Sequence, residues 1–268
     1  TLTIDHTHGD VIIDFAGTSP QVDKGINVVL NYTHAYSTFA VRSCLTPDLP
    51  NNSGSLAPIR VTAPEGSILN CSYPAPVAAR HVVGMYVPFP ILKALHNVVP
   101  ERVLAEGPGA VWSAQVIGRD DRGRPYVSSQ FSFAGGMGAR ANKPGPHATC
   151  FPTGIGATPI EVLEMETPVV FYRRELRPGS GGRGRMAGGD GQIISFGVRT
   201  GLPWTLNASP TGVGFGAEGL GGGESGAPGR FRLNGRDWSA RGKTRMNPSD
   251  VIEMQTPGGG GFGPPLGK

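Results

Sequence analysis

The sequence predicts an α+β fold in which a helix-containing first part runs into a β-rich, glycine-bent second part near residue 107. Three observations carry that expectation. From Ile26 to Leu45 the chain has neither Gly nor Pro, and Val29, Tyr32, Tyr36, Phe39, Ala40 and Ser43 recur at the three- and four-residue spacing of one helix face. Beyond Gly107 the apolar residues alternate with polar ones in short stretches, the period of a strand. Between those stretches stand Gly135-Gly136, Gly181-Gly182, Gly188-Gly189, Gly221-Gly222-Gly223 and the run Gly258-Gly259-Gly260-Gly261. With 42 Gly and 25 Pro among 268 residues, the composition approaches that of low-complexity chains. Apolar alternation resumes after every cluster, which makes the glycines punctuation in a folded protein. The four-glycine run reads as a loop held by another surface, free to take positive φ. No linker separates residues 1–107 from 108–268, so they are expected to form one continuous unit.

Taken in order, Leu2 and Ile4, then Val11, Ile13 and Phe15, flank Thr7-His8-Gly9 as a hairpin, with Asp14 near the end of its second strand and a turn over Gly17-Thr18-Ser19-Pro20. The helix Ile26–Leu45 stops at Thr46-Pro47. Pro50-Asn51-Asn52-Ser53-Gly54 reads as a turn, and Ile59 and Val61 as a strand closed by Pro64-Glu65-Gly66. Helical stretches are expected over Pro76–Val87 and Ile91–Val99, interrupted by Pro88 and Pro90. Strands follow at Ala110–Ile117, Tyr126–Phe133, Val169–Leu176, Ile193–Val198, Arg230–Leu233 and Val251–Met254. Thr158-Pro159-Ile160-Glu161 has the form of a helix start, with Thr158 as N-cap, Pro159 at the first helical position and Glu161 closing a capping box.

A net charge of +4 is modest and spread along the chain, which does not call for nucleic acid as a partner. Cys44, Cys71 and Cys150 lie far apart with no CxxC pair, as in a reduced intracellular protein. No leader and no apolar run of membrane-spanning length is present, so the expectation is a cytoplasmic protein that does not enter a membrane.

Several motifs fall short of a complete site. Gly214-Phe215-Gly216-Ala217-Glu218-Gly219 matches GxGxxG, but Leu220-Gly221-Gly222-Gly223 follows where a dinucleotide site needs a helix. Asp237 to Thr244 ends like a phosphate loop but lacks its leading glycine. Arg173, Arg174, Arg177, Arg183 and Arg185 form an anion- or nucleic-acid-contacting segment, or else a solvated strand edge and turn or a contact with an acidic partner subunit. His6, His8 and Asp10 carry metal-ligand chemistry on a turn that scatters them, and His147 with Cys150 would need further ligands. Glu161, Glu164 and Glu166 are paired carboxylates, the first assigned to capping.

Read together, a series of segments resembles the C-terminal half of the B-type chain of the hydantoinase B/5-oxoprolinase family. They are Asp14-Phe15-Ala16-Gly17-Thr18-Ser19-Pro20-Gln21, Gly25-Ile26-Asn27, Pro50–Gly54 with Pro58-Ile59, Ala63–Ser67, and Pro74–Val77. Further along come Ala134-Gly135-Gly136, Thr158–Glu164, Ser180–Arg185, and Thr256–Gly263. Two places differ from the family pattern: Ala141–His147 stands where an acid-containing turn is expected, and Pro178-Gly179 lacks an Asp before Ser180.

The resemblance implies a subunit of an ATP-dependent hydrolase of hydantoin, 5-oxoproline or lactam rings. A phosphate placed on the amide oxygen would turn it into a leaving group. ATP and Mg are expected on an A-type partner chain. A divalent metal is expected on an N-terminal B-type segment upstream of Asp14, supplied by a separate chain or a lost portion. The implied assembly is a hetero-oligomer of these chains. A B-type subunit of a ketone carboxylase, and a non-catalytic assembly subunit, are the alternatives. The matched segments single out Asp14, Thr18, Asn27, Asn52, His147 and Glu161 as substrate or cleft candidates, Asn27 and Asn52 being also able to satisfy backbone groups.

Overall fold

The computed structural model describes residues 1–109, 111–239 and 242–265. The chain divides into two compact units, Thr1–Leu104 and Ala105–Lys268, and the architecture is α+β, with most helices in the first and most strands in the second.

In the first unit, strands β1 (Leu2–Asp5), β2 (Asp10–Asp14) and β3 (Ile59–Thr62) form a three-stranded sheet in the order β1-β2-β3. β1 and β2 are the expected hairpin; β2 and β3 run parallel, joined by a crossover that contains helix α1 (Leu30–Leu45). Helix α1 begins four residues later than its periodicity suggests. Val29 is extended at ψ 151°, and the Val28 N–H donates to the Ile68 carbonyl while the Val28 carbonyl accepts from the Cys71 N–H. Those bonds hold residues 26–29 as a strand-like edge, so tertiary pairing overrides local helix preference.

The turn expected at 50–54 becomes the short helix α2 (Ser53–Leu56), capped by Asn52. The stretch 76–87 yields only α3 (His81–Gly84), because the Pro76 carbonyl is taken by the Asn27 amide. Pro88 and Pro90 do not interrupt a helix; they start α4 (Pro88–Leu95). In the first helical turn the N–H that proline lacks has no intrahelical acceptor, so nothing is lost. Phe89, Ile91, Leu92 and Leu95 of α4 are buried with Val28, Ala40, Val41 and Cys44 in the core of this unit.

The second unit is built on two sheets. One has the order β10-β9-β12-β7-β6, from β6 (Val169–Leu176), β7 (Gln192–Val198), β9 (Arg230–Leu233), β10 (Arg236–Asp237) and β12 (Ile252–Gln255). The other has the order β11-β8-β4-β5, from β4 (Trp112–Arg119), β5 (Pro125–Phe133), β8 (Trp204–Ser209) and β11 (Gly242–Met246). Trp112, Val116, Trp204, Leu206 and Met246 of one share a continuous core with Ile194, Phe196, Phe231, Ile252 and Met254 of the other. Ala110, expected to begin β4, lies outside the described residues. β8, β10 and β11 are additions to the strands expected from sequence. β11 carries the GKT residues of the phosphate-loop look-alike, and being a strand it offers no helix N-terminus for a phosphate.

Helix α5 (Ile160–Glu166) also departs from expectation. Its N-cap is Pro159, no side chain caps it, and the Thr158 carbonyl accepts from the Arg174 guanidinium at 2.9 Å. Glu161 is exposed on its first turn, so the capping box is not formed.

Beside the two sheets the glycine clusters converge on the run Gly258–Gly261, which is buried throughout. Its four N–H groups donate to the carbonyls of Ala227, Gly189, Glu106 and Glu224 at 2.9–3.1 Å. The carbonyls of Gly259, Gly260 and Gly261 accept from Gly182, Ala139 and Leu220 at 2.8–2.9 Å. Backbone packs directly on backbone here. A Cβ on Gly136 or on any residue of the run would fall under 3.0 Å from a neighbouring main-chain atom. Of the run and its neighbour Gly263, only Gly263 has positive φ, so close approach, not left-handed backbone, is what demands glycine. Gly216 and Gly219 of the GxGxxG tract belong to the same packing, which accounts for that motif without a nucleotide.

Candidate functional site

The six residues drawn from the sequence fall into separate places. Asp14 ends β2, where its carboxylate accepts from the Ala16 N–H at 3.0 Å and from the Thr62 hydroxyl at 3.1 Å. Thr18 donates its hydroxyl to the Phe15 carbonyl at 2.7 Å in the turn that follows. Asn52 accepts from the Ser55 N–H at 3.1 Å while the Ser55 hydroxyl accepts from the Asn52 N–H, a reciprocal cap on α2. Asn27 is fully buried, accepts from the Val22 N–H at 2.8 Å, and donates to the carbonyls of Val22, Lys24 and Pro76 at 2.7–3.0 Å. Among the described residues no hydrogen bond or ion pair joins any two of the six.

Asn27 ties its own loop, residues 22–24, to Pro76 through one amide. Asn27→Ala is expected to strip the Val22 N–H and three carbonyls of their partner and to lower stability by about 2–3 kcal/mol. The midpoint shift in urea unfolding measures this, and a shift below about 0.5 kcal/mol would remove Asn27 from the framework.

His147 stands on a different footing, because its loop is fastened while its ring remains half-exposed. The Gly145 N–H donates to the Ala187 carbonyl, the Gly189 N–H to the Met137 carbonyl, and the Met137 N–H to the Pro146 carbonyl, all at 2.8–3.0 Å. At the centre the Asp190 N–H donates to His147 Nδ1 at 2.8 Å, and the Ala148 N–H returns to the Asp190 carbonyl at 2.8 Å. Ala148 takes φ +47°, a left-handed position unusual for a residue with a Cβ. Such strain persists only where surrounding bonds over-determine the backbone. Because Nδ1 accepts, the neutral ring carries its proton on Nε2.

Behind the ring lies a polar relay. Asp190 Oδ2 is 3.6 Å from His147 Nδ1, and Oδ1 accepts from the Gly181 N–H at 2.8 Å. Ser180 Oγ lies 3.4 Å from Asp190 Oδ1, donates to the Arg177 carbonyl at 2.8 Å and accepts from the Gly191 N–H. The Arg177 guanidinium donates to the carbonyls of Pro228 and Thr256 at 2.8 and 3.2 Å. Burial is the main influence lowering its pKa, with Arg230 and Arg232 adding to it. Thr256, fully buried, donates to the Ala134 carbonyl at 3.0 Å.

This is not a serine-nucleophile triad. Ser180 is 2% exposed and addresses the carboxylate, not the imidazole. Cys150 is not an activated nucleophile either, since burial pushes its thiol upward and favours the uncharged form. What the arrangement offers is an imidazole Nε2–H held at a fixed place, able to donate to an oxygen that gains negative charge.

Several of the other chemistry-bearing groups are engaged internally. His8 pairs with Asp5 at 2.7 Å, and that bond is the main cause of the lowered Asp5 carboxyl; Asp10 pairs with Arg60 at 2.7 Å. Glu164 accepts from the Phe171 N–H at 2.7 Å. Arg173 pairs with Glu175, Arg183 with Glu224 through two bonds, and Arg185 donates to the Ala141 carbonyl. Among the described residues no group of three His, Cys, Asp or Glu side chains is placed to hold a metal, and no helix is long and apolar enough to cross a membrane.

Asp190 and Ser180, the supports of His147, are not among the sequence candidates. The signal is present in Gly189-Asp190-Gly191, a carboxylate between two residues without side chains, which is an acceptor offered to nearby main-chain N–H groups.

Comparison with known proteins supplies the context. The pattern of the family described as hydantoinase B/oxoprolinase matches residues 1–265. The uncharacterized protein MJ0963 of Methanocaldococcus jannaschii is 33% identical over 98% of this chain and 46% of its own length. The putative B subunit of a D-/L-hydantoinase from Pseudomonas sp. (strain NS671) is 29% identical over 99% of this chain and 46% of its own. Among solved structures, acetone carboxylase in its nucleotide-free form superposes with a TM-score of 0.84 at 20% identity, over 99% of this chain and 41% of that one. The chain therefore spans about half the length of these relatives.

Proposed function

The chain belongs to the hydantoinase B/oxoprolinase family, and from that premise we propose that it is part of a B-type subunit of an ATP-dependent enzyme that hydrolyses a cyclic amide. The carrying observation is the family match over residues 1–265, joined by similarity over 99% of this chain to 46% of a protein named as a putative B subunit of a hydantoinase. ATP and Mg are assigned to a partner A-type chain, and a divalent metal to the B-type sequence beyond this chain. The described residues hold no ligand set for that metal, and no step below is routed through it.

In the proposed reaction the γ-phosphoryl group of ATP is transferred to the amide oxygen, releasing ADP. Water then adds to the ring carbon, the ring C–N bond breaks to free an amine or urea nitrogen and leave an acyl phosphate, and a second water hydrolyses that to carboxylate and phosphate. Negative charge gathers on the acyl oxygen as the second water attacks. His147 Nε2–H is the donor this chain can bring to it, with Asp190 and Ala148 fixing its direction. Asp14, Thr18 and Glu161 remain candidate contacts at turn and helix ends, while Asn27 and Asn52 act through the framework.

The assembled complex tests this reading. ADP release should depend on hydantoin, 5-oxoproline or a lactam, with ring-opened product formed in step. ADP release that instead requires a ketone and bicarbonate would replace the hydrolase with a carboxylase. Unchanged turnover by a complex lacking this chain would reduce it to an assembly component.

A further inference from the structure

Helix α1 is built the wrong way round for a helix that faces water. Its buried face carries Thr33, Ser37 and Thr38 beside Ala40, Val41 and Cys44. Its exposed positions are Leu30, Asn31, Ala35, Phe39 and Ser43, without a single charge. A solvent-facing helix ordinarily puts its charged residues outward and its large apolar ones inward.

The one Arg of α1 does not relieve this. Arg42 is 9% exposed and turns into the loop after the helix, donating to the carbonyls of Pro50, Thr46 and Leu49 and to the Ser55 hydroxyl. It forms part of the wall of a groove of about 600 Å³ that is otherwise lined by His34, Phe39, Leu49 and Leu56 among others. At the groove, Phe39 is 40% and Leu49 54% exposed. Large apolar groups left exposed beside a helix face without an outward charge are the mark of a surface kept covered.

We propose that the outer face of α1, with its groove, is the seat of the remaining part of the B-type subunit, so that α1 is covered on both sides in the assembly. This rests on the reading of the chain as part of a B-type subunit. The relatives carry as much sequence again as this chain spans, which supplies an occupant of sufficient size. The absence of charge suits a permanent contact inside one B-type unit more than a transient encounter with the ATP-binding chain, where rim charges steer association.

The test places the photoreactive residue p-benzoylphenylalanine at position 39 of this chain in the full assembly, irradiates it, and sequences the adducts. The expected adducts are peptides of B-type sequence outside the stretch that this chain matches. Adducts to the ATP-binding chain or to a second copy of this chain, or no adduct, would overturn the proposal. In parallel, with that B-type part supplied as a separate chain, Phe39→Glu should weaken its retention on co-purification by at least about tenfold. Tyr73→Glu, at a side chain 98% exposed, should leave it unchanged. Equal retention in both variants also overturns it. Cyclic-amide turnover is measured separately on the unaltered assembly, so a failed activity assay and a failed contact are told apart.

Discussion

Replacing Gly260 with alanine is expected to destabilise the second unit by at least about 3 kcal/mol, the upper end for an overpacked core. The added Cβ would fall under 3.0 Å from main-chain atoms of Glu218, with Gly219 in contact beside it. A clash with a side chain is relieved by a rotamer change, whereas here the obstacle is backbone. That backbone is itself bonded: the Gly260 N–H donates to the Glu106 carbonyl, and the Glu218 N–H donates to the Glu106 carboxylate at 2.7 Å. Moving one segment therefore breaks bonds in the next. Alanine also restricts the unfolded chain, which favours folding by only about 0.4–1 kcal/mol and does not offset the clash. The control is Gly214→Ala, where nothing lies within 4 Å of the new carbon and the change should stay within about 0.5 kcal/mol. Denaturant midpoints of the two variants should differ widely. Equal midpoints would mean that the glycine packing does not hold the unit together.

That contrast shows what is legible in the chain and what is not. Alternation and period place the hairpin of β1 and β2, the body of α1, and strands β5, β6, β7, β9 and β12, because each has one face that must be buried. β8 is hard to see although Trp204, Leu206 and Ala208 alternate, since Ala and Asn weaken the β signal of so short a segment. The start of α1 is hidden because the bonds that extend residues 26–29 come from Ile68 and Cys71, far along the chain. Glycine-run chemistry is half legible: a held loop follows from the sequence, but packing against several other segments is a property of their mutual arrangement. His147 is among the sequence candidates although its segment, Ala141–His147, departs from the family pattern. Its partner Asp190 is not, because the link between them is a main-chain N–H, which every residue but proline possesses.

The decisive chemical test is a pair of substitutions at His147 in the assembled enzyme. His147→Asn keeps an acceptor near the position of Nδ1 for the Asp190 N–H but has nothing at Nε2. His147→Gln places an amide N–H near Nε2 and gives up the acceptor. If the ring acts through Nε2–H, the Asn variant should fold normally and lose about 10²–10³-fold in kcat, the usual effect of removing one donor to a developing oxyanion. The Gln variant should retain more of the turnover while losing about 1 kcal/mol of stability, because the Asp190 N–H is left without its partner. The ring is 54% exposed, so little packing is lost in either case and melting temperatures should report mainly on that bond. The opposite order, with Asn active and Gln impaired, would make His147 a clasp between the loop of residues 144–149 and Asp190, and would move the search for the oxygen's donor to another residue. The two outcomes cannot be confused, because one separates turnover from stability and the other makes them fall together.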